Sequence, residues 1–93
     1  MLTLSANARH AVRDVTRRAH LSPQGGLRIA ESPERAGAFE VSLAAAPADG
    51  DEVVEVDGAR VFVEPRTSTI LADQQLDAAT SAEGTGFLLA PQD

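Results

Sequence analysis

Hydrophobic positions in this chain change period several times, and each change marks an element. Ala8, Ala11, Val12, Val15 and Ala19 recur at three- and four-residue steps, which predicts an amphipathic helix running to about His20. Ser5 stands where an N-cap belongs. The stripe is small in volume, so the helix is expected to lie close against a sheet. Pro23-Gln-Gly-Gly26 ends that segment with turn chemistry. Leu27-Arg-Ile-Ala30 then reads as a short strand with Leu27 and Ile29 inward. After a polar loop over Glu31–Arg35, Phe39, Val41, Leu43 and Ala45 alternate with Ala38, Glu40, Ser42 and Ala44, the period-two signal of a half-buried strand.

Following a turn at Pro47-Ala-Asp-Gly-Asp51, Glu52–Val56 and Ala59–Val63 flank Asp57-Gly58. That dipeptide predicts a type I′ hairpin and fixes its register. Val56 should oppose Ala59, Glu55 oppose Arg60, Val54 oppose Val61, and Val53 oppose Phe62. One face becomes Val54, Val56, Ala59, Val61 and Val63. Glu55 and Arg60 meet on the other, a pairing of roughly 0.2–1 kcal/mol. Pro65 is expected to end the hairpin, Thr67–Leu71 to form a short helix, and Leu76–Ala79 and Gly86–Leu89 two brief strands. Residues 1–93 are read as a single α+β domain: a mixed sheet or sandwich, an N-terminal helix and a short second one.

The order Leu2-Thr-Leu4, capped helix, Gly26-Leu-Arg-Ile29, alternating strand, Asp-Gly hairpin, Leu71…Leu76-Asp77 and Gly86-Phe87…Pro91 resembles the HesB/IscA-type (A-type) iron-sulfur carrier proteins. The resemblance covers essentially the whole chain. It implies a compact β-rich domain with helices on one side, often assembled as dimers or tetramers. It also implies three cysteine ligands: one in the loop before the long alternating strand, two in a Cys-Gly-Cys tail. The sequence holds no cysteine at all. Ala36 falls where the first is expected, and the stretch leading to the tail reads Ala90-Pro91-Gln92 before Asp93. Cluster irons are held mainly by thiolates, and a methyl group ligates nothing. No cofactor is therefore expected.

Composition sharpens this picture. The formal charge is −6, with five arginines against one acid in residues 1–28 and three against thirteen acids in residues 29–93. Net acidity argues against nucleic-acid binding, which requires phosphate neutralisation. The first residues lack a signal-peptide pattern, no apolar run nears the roughly 20 residues of a membrane span, and the missing thiols fit a cytoplasmic setting.

Candidate chemistry is sparse. His10 and His20 are separated by roughly 15 Å on a helix and read as surface or helix-end residues. Asp49, Asp51 and Glu52 fail the calcium-loop pattern because Val53 and Val54 occupy its fifth and sixth positions; a solvated turn is expected there. Gly84-Thr-Gly86 reads as a turn before the last strand, and no nucleophile elbow is present. No enzyme activity is expected. Arg9, Arg13 and Arg17 form a four-residue-spaced basic stripe, with Asp14 placed to pair with Arg18. The stripe is either a solvated face or a docking surface for an acidic partner. The expectation is a non-catalytic protein-interaction module, with a protein partner or a second copy of the chain, linked to iron-sulfur or metal homeostasis. The rival is a metal or cluster carrier whose ligands come from a partner or from histidines and carboxylates.

Overall fold

A computed structural model describes residues 1–35, 37–82 and 84–92, with the side chain of Thr80 also outside the description. The elements are β1 (Thr3–Leu4), α1 (Ala6–Arg18), β2 (Gly26–Glu31), β3 (Phe39–Ala44), β4 (Glu52–Val56), β5 (Ala59–Val63), α2 (Pro65–Ile70), β6 (Gln74–Ser81) and β7 (Gly84–Pro91). They form the expected α+β arrangement, with two mixed sheets. One has the order β1-β6-β7, the other β3-β2-β5-β4. β1 runs parallel to β6 and β2 parallel to β5; the other pairings are antiparallel.

The α1 helix starts where Ser5 caps it, its Oγ accepting the Ala8 N–H at 3.0 Å. Ala8, Ala11 and Val12 are buried, whereas Val15 is half-buried and Ala19 exposed. The apolar stripe thus outlasts the surface it packs on. The helix ends two residues before His20, which takes a left-handed φ of 57°.

The β4–β5 hairpin has the register that its turn dictates, from Val56↔Ala59 through Val53↔Phe62. Asp57 and Gly58 have φ of 52° and 83°, the two left-handed residues that a type I′ turn requires. Val54, Ala59, Val61 and Val63 are buried and join Leu27, Ile29, Leu76, Leu2, Leu4, Ala8 and Val12 in one core. Burying such side chains contributes roughly 25 cal/mol per Å² of apolar surface.

Several expectations need correction. Phe62 is fully buried on the other face of the hairpin, beside Arg28 and Val53 in register, with the Arg60 guanidinium 5.5 Å from its ring centroid. The β3 strand is less covered than its alternation promised. Val41 and Leu43 are 41% and 43% exposed, because β3 is an edge strand. The second helix begins at Pro65 rather than Thr67. Glu64 caps it by accepting the N–H groups of Arg66 and Thr67, and Pro65 takes the first helical position, where no N–H is needed. Strands β6 and β7 have eight residues each, and Gly84-Thr-Gly86 lies inside β7 instead of forming a turn.

Candidate functional site

The α1 helix carries Arg9, Arg13 and Arg17 along one edge, and each has a partner within the chain. Arg9 Nη1 donates to the Leu4 carbonyl at 3.1 Å, and its Nε lies 3.4 Å from Asp57 Oδ2. Arg13 Nη1 donates to the Asp57 carbonyl at 2.7 Å. Two turns of helix thereby grip the tip of the β4–β5 hairpin, the tight turn presenting the side-chain and main-chain oxygens of one residue. Arg17 and Arg18 both reach Asp14, at 3.6 and 3.3 Å. The expected Asp14–Arg18 pair is therefore present, with Arg17 as a second cation. Arg17 remains largely exposed, whereas Arg9 is about one-third exposed. The stripe is one surface in sequence and two in structure: a clamp at residues 9 and 13 and a solvated cation at 17. The role of Asp57 was not legible, since its contacts join residues 44 to 48 positions apart.

Beside the clamp, α1 and the β6–β7 hairpin enclose an open groove of about 830 Å³, lined by Asn7, His10, Asp14 and Arg18 above small residues such as Ala78 and Ala79. Ser5 Oγ donates to Asp77 Oδ1 at 2.6 Å, and the Ala78 N–H donates to the same oxygen at 2.8 Å. The Ser5 bond, followed by the Ala78 N–H, holds the Asp77 carboxyl below its ordinary pKa. Hydrogen bonds from the Arg66 and Thr67 N–H groups, with the Thr67 hydroxyl, do the same for Glu64. Both carboxylates are thus committed as ionised acceptors within the fold.

The turn is solvent-exposed over residues 47–50, as expected, but Asp51 at its end is not. Asp51 has a fully buried side chain that accepts from Arg28 Nε and Nη2, both at 3.0 Å, and from the Ala48 N–H at 2.9 Å. Burial is the largest single influence on its carboxyl and opposes ionisation. The Arg28 hydrogen bonds, the Ala48 N–H and the Arg28 charge together outweigh it, so the pKa lies below the usual carboxylate range. The same hydrogen bonds hold Arg28 more firmly protonated. Glu52 accepts from Ser68 Oγ at 2.9 Å. These acids serve the fold and do not form a calcium loop.

Both histidines are exposed, His20 just beyond the helix end. Among the described residues, no three histidine or carboxylate side chains gather as metal ligands do. Ala36, the position matched to the first family cysteine, lies outside the described residues. No described helix is long and apolar enough to cross a membrane.

No protein-family model matches the chain. It is 41% identical over 68 residues to an uncharacterized protein in the nifU 5′ region of Cereibacter sphaeroides, a match covering 71% of the chain and 64% of that relative. Three solved structures superpose over nearly its full length. SufA of Escherichia coli, involved in the biosynthesis of iron-sulfur clusters, gives a TM-score of 0.78 at 20% identity over 97% of this chain and 84% of SufA. IscA with a [2Fe-2S] cluster gives 0.73 at 15% identity over 98% and 85%. A protein from Aquifex aeolicus determined by solution NMR gives 0.72 at 21% identity over 96% and 89%. The chain has the fold of the SufA and IscA iron-sulfur carriers, and its sequence contains no cysteine.

Proposed function

We propose that this chain is a cysteine-free relative of the A-type iron-sulfur carriers that binds another protein and holds no cluster of its own. The observation that carries the reading is the pairing of a carrier fold with a sequence lacking every thiolate. Cluster irons take soft sulfur ligands, and the carboxylates of Asp51 and Asp77 are already engaged by Arg28 and Ser5. What remains is a scaffold whose surfaces, rather than its ligands, do the recognition. In this reading the protein is non-catalytic, cytoplasmic, and linked to iron-sulfur or metal homeostasis through the carriers whose shape it shares. Arg17, the exposed end of the stripe, with Arg9 and Arg13 behind it, supplies a basic face for an acidic protein. Such contacts weaken with salt as the Debye length falls below about 10 Å.

Anaerobic affinity purification from the native host tests this. The expected product is the chain with one specific co-purifying protein and no iron above background. Recovery drops when sodium chloride is raised or when Arg9, Arg13 and Arg17 are all replaced by Ser. Iron and sulfide retained by the isolated chain in fixed ratio would overturn the reading in favour of a carrier with non-cysteine ligands.

A further inference from the structure

A cleft of about 300 Å³ lies where the end of α1 meets the loop that follows it and the tip of the β4–β5 hairpin. Arg13 and Arg17 line it from the helix, Leu21, Ser22 and Pro23 from the loop, and Gly58 from the hairpin turn. Among the described residues no acid lines it, in a chain whose 14 acids outnumber its 8 arginines. Arg13 is held at this place without being neutralised. Its Nη1 donates to the Asp57 main-chain carbonyl, which carries no formal charge. Among the described residues its Nε and Nη2 have no partner, and no carboxylate pairs with it. The other α1 arginines differ: Arg9 meets Asp57 Oδ2, and Arg17 and Arg18 share Asp14. The Nε–Nη2 edge is the one through which Arg28 grips the Asp51 carboxylate, in two bonds of 3.0 Å each. The chain thus contains a filled example of the contact that Arg13 leaves open.

We infer that this cleft receives a carboxylate side chain of an acidic partner protein, clasped by the Nε–Nη2 edge of Arg13 with Arg17 beside it. A neighbouring apolar residue of the partner rests on Leu21 and Pro23. Charge complementarity selects the occupant, since Asp14 offsets only one of the two cations it serves and nothing offsets Arg13. The bond to Asp57 fixes the Arg13 guanidinium before the partner arrives, so little side-chain freedom is lost on binding, and a planar guanidinium suits a planar carboxylate. Helix C-termini ordinarily disfavour anions, but here the last carbonyls are occupied. Those of Val15, Thr16 and Arg17 accept from the N–H groups of Ala19, Leu21 and His20. A phosphate site would draw on free main-chain N–H groups at a helix N-terminus or a nest. In this cleft the Gly25 N–H is already spent on the Ser22 carbonyl at 2.9 Å. The assignment rests on reading the chain as an interaction module and names the contact that its basic face makes.

The experiment is an amide chemical-shift titration of the isotope-labelled chain with the capped peptide acetyl-Ala-Leu-Glu-Ala-amide, whose sole carboxylate is the Glu side chain. A saturable millimolar interaction is expected, as suits one side chain of a larger interface. Its shifts should centre on the N–H groups of Ser22, Gly25 and Gly58 and on Arg13 Nε–H. The peptide with Gln in place of Glu should produce none. Arg13→Gln should weaken binding by about tenfold or more. So should Arg13→Lys, which keeps the charge but loses the two-pronged edge. Arg66→Gln, which removes the same charge on α2, should leave binding unchanged, and the dispersion of each spectrum confirms that the variant is folded. No saturable shift in the millimolar range, equal binding of the two peptides, full retention by Arg13→Lys or shifts centred elsewhere overturns the inference. So does inorganic phosphate that fills the cleft more tightly than the peptide. Each of these outcomes leaves the partner-binding reading standing, because a protein recovered from the host can dock on another face. If the peptide binds as described but no protein co-purifies, the partner-binding reading fails and the carboxylate site holds.

Discussion

The β4–β5 and β6–β7 hairpins are both antiparallel ladders, yet the chain treats them in opposite ways. The first closes through two left-handed residues. It is pinned at its tip by Arg9 and Arg13, pairs Glu55 with Arg60 at 3.3 Å, and buries both faces of β5. The second is longer, gives the core Leu76 and Ala78 from β6, and leaves β7 half-covered and uncharged. One hairpin is a finished part of the scaffold; the other borders its open side. The buried contacts are therefore concentrated in the first hairpin.

Substitutions in the two hairpins break or sharpen this contrast, and urea unfolding monitored by circular dichroism reads each of them. Phe62→Ala should cost about 3–5 kcal/mol, as expected for a fully buried aromatic, whereas Phe87→Ala should cost about 1–2 kcal/mol because that ring is already half in water. Equal losses would mean that the two hairpins share the core evenly. Next in size, Gly58→Val should cost about 1–3 kcal/mol, since a β-branched residue is forced to a φ of 83°. An unchanged midpoint would show that the turn can relax.

Asp51→Asn should cost about 1–2 kcal/mol at neutral pH, a moderate figure because Arg28 keeps partial solvent access. The sign of its pH dependence follows from the depressed carboxyl. An Asp with a lowered folded pKa contributes stability above its unfolded value of about 3.9, and that contribution disappears as pH falls through the folded value. The gap between wild type and Asp51→Asn should therefore narrow progressively as the pH falls below about 3.9. A gap that stays constant with pH would contradict the ion pair. Smallest of all, the double variant Arg9→Ser, Arg13→Ser should lose about 1 kcal/mol, since Asp57 is mostly exposed. In sequence these arginines read as a solvated face or a docking surface, and their bonds to the hairpin tip are the reason for expecting a loss.

What could be read in the chain beforehand was what local chemistry dictates. Asp57-Gly58 admits one turn type, so the four pairs from Val56↔Ala59 to Val53↔Phe62 followed from two residues. Ser5 capped the helix as a serine before an apolar stripe should. The misses arose where distant groups decide the outcome. Alternation in β3 identified its inner face correctly, but no local pattern reveals that nothing covers an edge strand. Phe62 lay on a face that looked polar because Glu55 and Arg60 flank it, and Asp51 looked like turn solvent until Arg28, 23 residues away, took it. Strands β6 and β7 were cut short because Gln, Ala, Thr, Ser and Gly carry little periodic signal. Pro65 ends the hairpin as expected, but the helix was expected two residues late, at Thr67, although Glu64-Pro65 is a helix N-terminal signature that was there to be read. The candidate site was legible by absence, in the missing cysteines, and by the spacing of Arg9, Arg13 and Arg17. It was not legible in the way Arg9 and Arg13 reach across to the hairpin tip at Asp57.

Anaerobic reconstitution of the purified chain with ferrous iron and sulfide, then desalting and quantification of bound iron by absorption and metal analysis, tests the central claim most directly. With no thiolate in the sequence, the expected product is colourless and carries no stoichiometric iron. Replacing Ala36 by Cys should not change that, since a lone thiolate leaves the other ligands missing. A brown protein holding one cluster per one or two chains through desalting would contradict the account.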